Sequence, residues 1–223
     1  DLITSVINIA PSIDKNTIIL PLLNGVDAKD KISKVYPDNL VLDGCVFVIS
    51  KIVERGVIKR IAGKGVLYFG ATKENERLKA LHHIFLEAGI NAKYASNILE
   101  VVWGKYLFIA SLASLTSYLD ITTGQIFENE KHKELLIQLL EEFQAVANAK
   151  QILLSKTIIE ETVQKIEALP YETTTSMQRD FQQNRKTEYK SLTKHIVDLG
   201  NESEVEVPTF ELILKELDRK GNS

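Results

Sequence analysis

From Ser96 to Leu119 the chain carries an apolar or small side chain at almost every position, and past Glu100 its only charge is Lys105. A run of this length and texture is expected to form one long helix, central and buried within a helical domain. Lys105 interrupts it. The run therefore falls short of the ~18 uninterrupted apolar residues expected of a bilayer-crossing segment. Any fold proposed for the chain has to bury this helix and still give the Lys105 ammonium somewhere to go.

The texture changes on either side of residue 94. Up to about residue 93 the apolar segments are short and β-branched, separated by turn residues. Thr17 to Leu23 and Val41 to Ile49 read as strands, and Gly56–Ile61 with Val66–Gly70 reads as a hairpin turning near Gly63 and Gly65. Helical spacing appears from Leu2 to Ala10, and again from Glu74 to Ala88, where Gly89 acts as a stop. These are too few strands for a complete open α/β sheet.

From residue 94 onward the pattern is helical almost throughout. An amphipathic helix is expected over 130–153 and another near 156–169, ended by Pro170. The threonines 173–175 offer caps for a short helix opening at Ser176. A further amphipathic helix runs from Glu188 to Leu199 with Gly200 as its stop, and Thr209 caps a last helix with Pro208 just outside it.

Composition excludes several classes. The 223 residues are 44% hydrophobic and 26% charged, with a net charge of −3, so nothing draws the chain to nucleic acid or to an anionic membrane. One cysteine, Cys45, rules out an internal disulfide framework and a thiolate zinc site, and in its apolar run it reads as a small buried hydrophobe. His82 and His83 are adjacent on a helix and face apart, and no metal site is expected. A reducing compartment, most simply a cytoplasmic one, follows. The chain opens Asp1-Leu2 and its only methionine is Met177, so it reads as a fragment or processed product of a longer chain.

The polar residues that could carry chemistry each admit a plain reading. Lys105 either snorkels to the surface or sits in a pocket, where desolvation would ease proton donation near neutral pH. Glu188 opens a helix, where the macrodipole already favours a carboxylate. Ser176 could be an N-terminal helix residue and nothing more, while Asp180 could bond Arg185 or the helix end. Asn24-Gly25 closes a strand, a place for a ligand loop in open α/β sheets, and is also a plain turn signal. No G-x-G-x-x-G or Walker-type loop occurs in the 223 residues.

Together, in order and spacing, Leu22-Leu23-Asn24-Gly25-Val26, Trp103-x-Lys105, Leu115-Thr116, Ser176-Met177-x-x-Asp180 and Arg185-x-Thr187-Glu188 resemble the ketopantoate reductase (2-dehydropantoate 2-reductase) family. The resemblance covers essentially the whole chain. It implies an α/β region, residues 1–93, forming the rear half of a Rossmann-type NADPH-binding domain. Residues 94–223 would be an all-α domain of the 6-phosphogluconate dehydrogenase C-terminal type. The glycine-rich loop would lie upstream, so residues 1–223 alone are expected to be inactive.

The implied activity is NADPH-dependent reduction of a 2-oxo acid, 2-dehydropantoate to pantoate in the family's own case. By the same resemblance Lys105 is the general acid, and Glu188 stands near the nicotinamide ribose and the substrate. Asn24 and Ser50 contact the cofactor, Ser176 holds substrate, and a homodimer through the helical domain is possible.

Three positions depart from the family. Its asparagines four and eight residues after the lysine are replaced by Ile109 and Ala113, and a third is replaced by Thr123. A more apolar 2-oxo acid would suit such a pocket, and a non-catalytic nucleotide-binding or scaffold paralogue is the alternative.

Overall fold

A computed structural model of the chain describes residues 2–71 and 75–221. They fall into two compact units, Asp1–Val102 and Trp103–Ser223. The expected helix start at Glu74 lies outside the described residues.

The first unit is α/β. Its elements are α1 (Leu2–Asn8), a 3₁₀ turn (Ala10–Ser12), β1 (Ile18–Ile19), α2 (Ala28–Val35), β2 (Leu40–Val41), β3 (Asp43–Glu54), β4 (Val57–Gly70), α3 (Glu76–Glu87) and β5 (Ala92–Tyr94), followed by the first turn of α4 (Ile98–Leu119). β1 pairs parallel with β2, and β5 pairs parallel with β4. Parallel neighbours need a crossover, and α2 and α3 supply one each.

The crossovers pack two small cores. Val6, Ile19, Ile32 and Val41 gather between α1, α2 and the β1–β2 pair, while Leu42, Leu67, Phe69, Leu78 and Ala92 gather beneath α3. Each fully buried Leu or Phe side chain of this kind contributes about 1.5–3 kcal/mol relative to leaving it exposed.

Two local expectations need correcting in this unit. The strand read over Thr17–Leu23 contracts to Ile18–Ile19, because Leu22 and Leu23 are exposed and have no ladder partner to hold them extended. The hairpin does not turn near Gly63 and Gly65. Instead β3 pairs antiparallel with a continuous β4, Glu54 faces Val57, and Arg55-Gly56 is the connection. Gly56 takes φ +84°, the left-handed region that glycine enters at little cost, which places the turn there. Bulges near Phe47, Ile49 and Ser50 let the long ribbon twist, and at its far end Ile52 and Ile58 face each other 75% and 71% exposed.

The compact units divide between Val102 and Trp103 rather than at the expected 93/94. Residues 94–102 belong with the α/β unit by compactness, since Ile98 and Val102 in the first turn of α4 close a cluster on Cys45.

The regular elements of Trp103–Ser223 are all helices among the described residues. The body of α4 is followed by α5 (Thr123–Phe127), α6 (Glu130–Ala149), α7 (Ile158–Glu167), α8 (Ser176–Gln182), a π-helical turn (Lys190–Lys194), α9 (His195–Glu202) and α10 (Pro208–Gly221). Every residue of α4 from Ala110 to Ser117 is buried, so the helix is surrounded on all faces, as its apolarity demands. By length and composition α4 could cross a bilayer, contrary to the expectation that Lys105 forbids it, yet most of it is buried inside the protein as a core helix is.

The helix ends differ from the reading in instructive ways. The helix expected to reach Leu153 stops at Ala149, where Lys150 caps it and Gln151 turns to φ +62°. Gly200 lies inside α9 rather than ending it. A Cβ there would stand 2.9 Å from the Val205 carbonyl and 3.0 Å from Val207, so the glycine allows the following loop to fold back on the helix. Pro208 is within α10, where its missing N–H costs nothing in the first turn. Thr209 is not the cap: the Glu142 carboxylate on α6 accepts the Thr209 and Phe210 amides at 2.8 and 3.0 Å.

Candidate active site

Lys105 sits on the helical unit's central helix, half-buried, with Val101, Phe108 and Ile109 half-buried around it and Ala113 fully buried two turns on. At i−4, i+3 and i+4 these three residues are its neighbours on the helix surface. Lys105 therefore emerges from an apolar strip. Trp103 and Tyr106 pack behind it on the Phe143 ring, with edge-on geometry at 5.9 and 5.1 Å.

Two other segments are tied to the same helix by buried hydroxyls. Thr175 is the N-cap of α8, accepting the Gln178 amide, and its Oγ1 shares a 3.0 Å hydrogen bond with Thr116 of α4. Ser176 follows immediately as the exposed first residue of α8. The expected helix start at Ser176 holds because the cap is one residue earlier, with Thr175 in extended backbone.

Glu188 is the second case. Instead of opening a regular helix, it occupies an exposed bend before Tyr189 and the π-helical turn. Its carbonyl accepts the Ser191 and Leu192 amides at 2.9 and 3.0 Å. Tyr106 Oη donates to Ser191 O at 2.8 Å, with Leu192 O at 3.3 Å, and Ser114 shares a 2.8 Å bond with Thr193. Behind Glu188, burial and a hydrogen bond to Asp218 push the Tyr189 hydroxyl above its ordinary pKa. Asp180 does meet Arg185, ion-paired at 3.2 Å, and its carbonyl accepts the Arg185 amide. The helical unit thus fixes Ser176, Glu188 and Lys105 to one scaffold, α4.

The remaining two candidates belong to the α/β unit. Asn24 is half-buried in the loop between β1 and α2, and Gly25 beside it takes φ +92°. The loop leaves the C-terminal end of a parallel strand, the position at which open α/β sheets place ligands. It borders a small hollow floored by Asp43, which is buried and ion-paired with Lys29 at 2.6 Å. Ser50 is exposed on β3 opposite Arg60, next to a bulge that re-aims the strand. Sequence reasoning passed over the Lys29–Asp43 pair, for which no motif exists, and the hydroxyl ties of Tyr106, Thr116 and Thr175, which pattern alone cannot distinguish from ordinary core positions.

A separate cavity of about 280 Å³ opens beside the C-terminal end of α4, lined by Ser117, Asp120, Gln178, Phe181, Gln182, Asn184 and Lys220. It contains none of the five candidates. Lys220 Nζ donates there to the Ser117 and Tyr118 carbonyls, a cation on a helix C-terminus. Hydrogen bonds from Gln178 and Gln182, aided by Lys220, hold the Asp120 carboxyl below its ordinary value.

Comparison with known proteins places this geometry. The family model described as Ketopantoate reductase PanE/ApbA C terminal matches residues 97–221, and that for Ketopantoate reductase PanE/ApbA matches residues 1–74. The 2-dehydropantoate 2-reductase of Aquifex aeolicus is 28% identical over 214 residues, covering 93% of this chain and 69% of that protein. The crystal structure of 2-dehydropantoate 2-reductase from Methylococcus capsulatus superposes with a TM-score of 0.84 at 26% identity, covering 96% of this chain and 70% of that one. D-mandelate dehydrogenase, in a ternary structure with NADH and anilino(oxo)acetate, shares the fold with a TM-score of 0.86 at 22% identity, over 98% of this chain and 72% of that one. The chain belongs to the ketopantoate reductase PanE/ApbA family of oxidoreductases.

Proposed function

We propose that this chain carries the substrate-side machinery of an NADPH-dependent reductase that converts a 2-oxo acid to a 2-hydroxy acid, 2-dehydropantoate to pantoate being the family's own reaction. The observation that carries the proposal is the attachment of the Ser176 and Glu188 segments to the helix that bears Lys105. A cation on α4, with a hydroxyl and a carboxylate on two segments hydrogen-bonded to that helix, matches what a polarised keto acid requires.

The cofactor's nicotinamide end suits the Asn24 amide, since an amide that both donates and accepts can read a carboxamide and a ribose hydroxyl. Ser50 and Glu188 are the further residues proposed to meet it. The chain offers no glycine-rich loop for the pyrophosphate. When bound, the reduced nicotinamide supplies the hydride. Lys105 donates a proton to the keto oxygen as negative charge develops there, and its ammonium stabilises that charge. Ser176 orients the substrate, and Glu188 fixes its position against the cofactor's ribose.

The strip of Val101, Phe108, Ile109 and Ala113 beside Lys105 favours a 2-oxo acid with an apolar side chain over one that needs amide partners. D-mandelate dehydrogenase, of the same fold, was solved with NADH and anilino(oxo)acetate. Dimerisation through the helical unit is part of the proposal. A dimeric ketopantoate reductase from Staphylococcus aureus shares the fold, with a TM-score of 0.85.

The test is oxidation of NADPH and of NADH by the full-length gene product with 2-dehydropantoate and a series of apolar 2-oxo acids. Lys105→Ala is expected to lower kcat by about 10²–10⁴-fold, the usual worth of a positioned general acid, with little change in cofactor affinity. Residues 1–223 alone are expected to show no turnover. Tight nicotinamide binding without reduction of any 2-oxo acid would leave the scaffold alternative standing.

A further inference from the structure

We propose that Tyr106 is a positioning residue: its hydroxyl holds open the π-helical turn Lys190–Lys194 and so sets the backbone of Glu188 from the same helix that carries Lys105. This rests on the reading of Lys105 and Glu188 as site residues. Tyr106 follows Lys105 directly in sequence and is 1% exposed. Its ring is gripped edge-on by Phe143 at 5.1 Å and Trp103 at 6.4 Å, and lies tilted beside His195 at 6.4 Å. The phenol cannot swing away.

π-helical turns are rare and appear mostly as single-turn bulges within α-helices, often at functional sites. Here the Tyr106 hydroxyl donates to two carbonyls of the turn, Ser191 O at 2.8 Å and Leu192 O at 3.3 Å. The Ser191 and Leu192 amides, in turn, donate to Glu188 O. Tyr106, the turn and Glu188 therefore form one hydrogen-bonded chain. Ser114 and Thr193 tie the same turn to α4 a second time.

Geometry makes the consequence large. If the turn tightened to α-helix by one residue, everything on its N-terminal side would rotate by about 100° about the axis. The Glu188 carboxylate would then leave its bearing on the helix that presents Lys105. A phenylalanine at 106 fills the ring site and supplies no donor, which leaves the Ser114–Thr193 bond as the remaining described tie from α4 against that tightening.

The experiment compares Tyr106→Phe, Thr193→Val and Leu78→Ala with wild type in the full-length gene product. Steady-state kinetics are run with the best 2-oxo acid, and amide hydrogen exchange is followed over residues 187–194. Leu78→Ala opens the core beneath α3, to which neither Tyr106 nor the turn belongs. The expected result is a kcat at least tenfold lower in Tyr106→Phe with cofactor KM within twofold, and faster exchange of the Ser191 and Leu192 amides. Thr193→Val should move both in the same direction, and it decides the matter if Tyr106→Phe does not fold. Leu78→Ala should lose thermal stability without that loss of kcat.

Wild-type kcat and unchanged exchange in Tyr106→Phe overturn the proposal, as does an equal fall of kcat in Leu78→Ala. If wild type reduces no 2-oxo acid, the functional reading fails by itself. Exchange then decides: unchanged Ser191 and Leu192 amides overturn the positioning role, and faster ones support it.

Discussion

Replacing Glu142 by alanine tests whether α10 is held by a carboxylate from another helix. The two oxygens take one amide each, from Thr209 at 2.8 Å and Phe210 at 3.0 Å. Losing an N-cap costs about 0.5–2 kcal/mol, and a hydrogen bond to a charged group contributes about 1.5–3 kcal/mol. Both amides lie on buried residues, whereas Glu142 itself is only half-buried, so water recovers part of the loss. A destabilisation of about 2 kcal/mol is expected for Glu142→Ala, and about half that for Glu142→Gln, which keeps one acceptor oxygen. The assay is urea unfolding followed by the fluorescence of Trp103, the only tryptophan, which is buried against Phe143 in the same unit. A loss below about 0.5 kcal/mol for the alanine variant would refute the capping role assigned by analogy with N-caps.

Gly70→Ala should destabilise the α/β unit by about 1–3 kcal/mol or more, because the new Cβ would meet the Ala95 carbonyl oxygen and Ile98, neither of which can rotate away. The contacts are 2.3 and 2.9 Å, and circular dichroism melting would read the loss. Asp120, held below its ordinary pKa of 3.8 by Gln178 and then Gln182, contributes stability that is full above that value and is lost as pH falls through the depressed one. Asp120→Asn, which tolerates the same φ of +55°, should therefore lower stability at neutral pH and flatten its fall below about pH 4 in acid titrations. Ile109→Asn should raise kcat/KM for 2-dehydropantoate relative to an apolar 2-oxo acid by about tenfold, the worth of one hydrogen bond of about 1.4 kcal/mol, and competition kinetics would show no shift if Ile109 does not line the substrate.

What could be read in the chain beforehand was whatever depended on local composition. The α4 helix announces itself because burial on every face leaves no polar position between Leu107 and Leu112 except Ser111. The start of α8 was legible because a threonine cap acts within three residues. What stayed hidden depended on distant partners. The Glu142 cap comes from another helix, so Thr209 looked like the cap it is not. The π turn was invisible because the apolar spacing of Leu192, Ile196 and Leu199 fits an ordinary helix, and its bonds to Tyr106 and Ser114 come from a distant part of the chain. Gly200 carried a stop signal, but a close carbonyl reinterprets it. For the site the pattern is the same: Lys105, Ser176 and Glu188 stood out as residue types in order, while the hydroxyls that fix them did not.

The far end of the β3–β4 ribbon stands under a different regime. Among the described residues only Leu67–Phe69 of β4 meet a third strand, and toward Arg55-Gly56 the outward pair Ile52 and Ile58 are largely in water. Folding free energy polices substitutions in the two cores, where a lost methylene is felt at once. At the ribbon tip it barely registers. Drift there is restrained only by whatever those side chains touch in the working protein, which makes the tip the part of the chain that evolution, or an engineer, can retune with the least thermodynamic penalty.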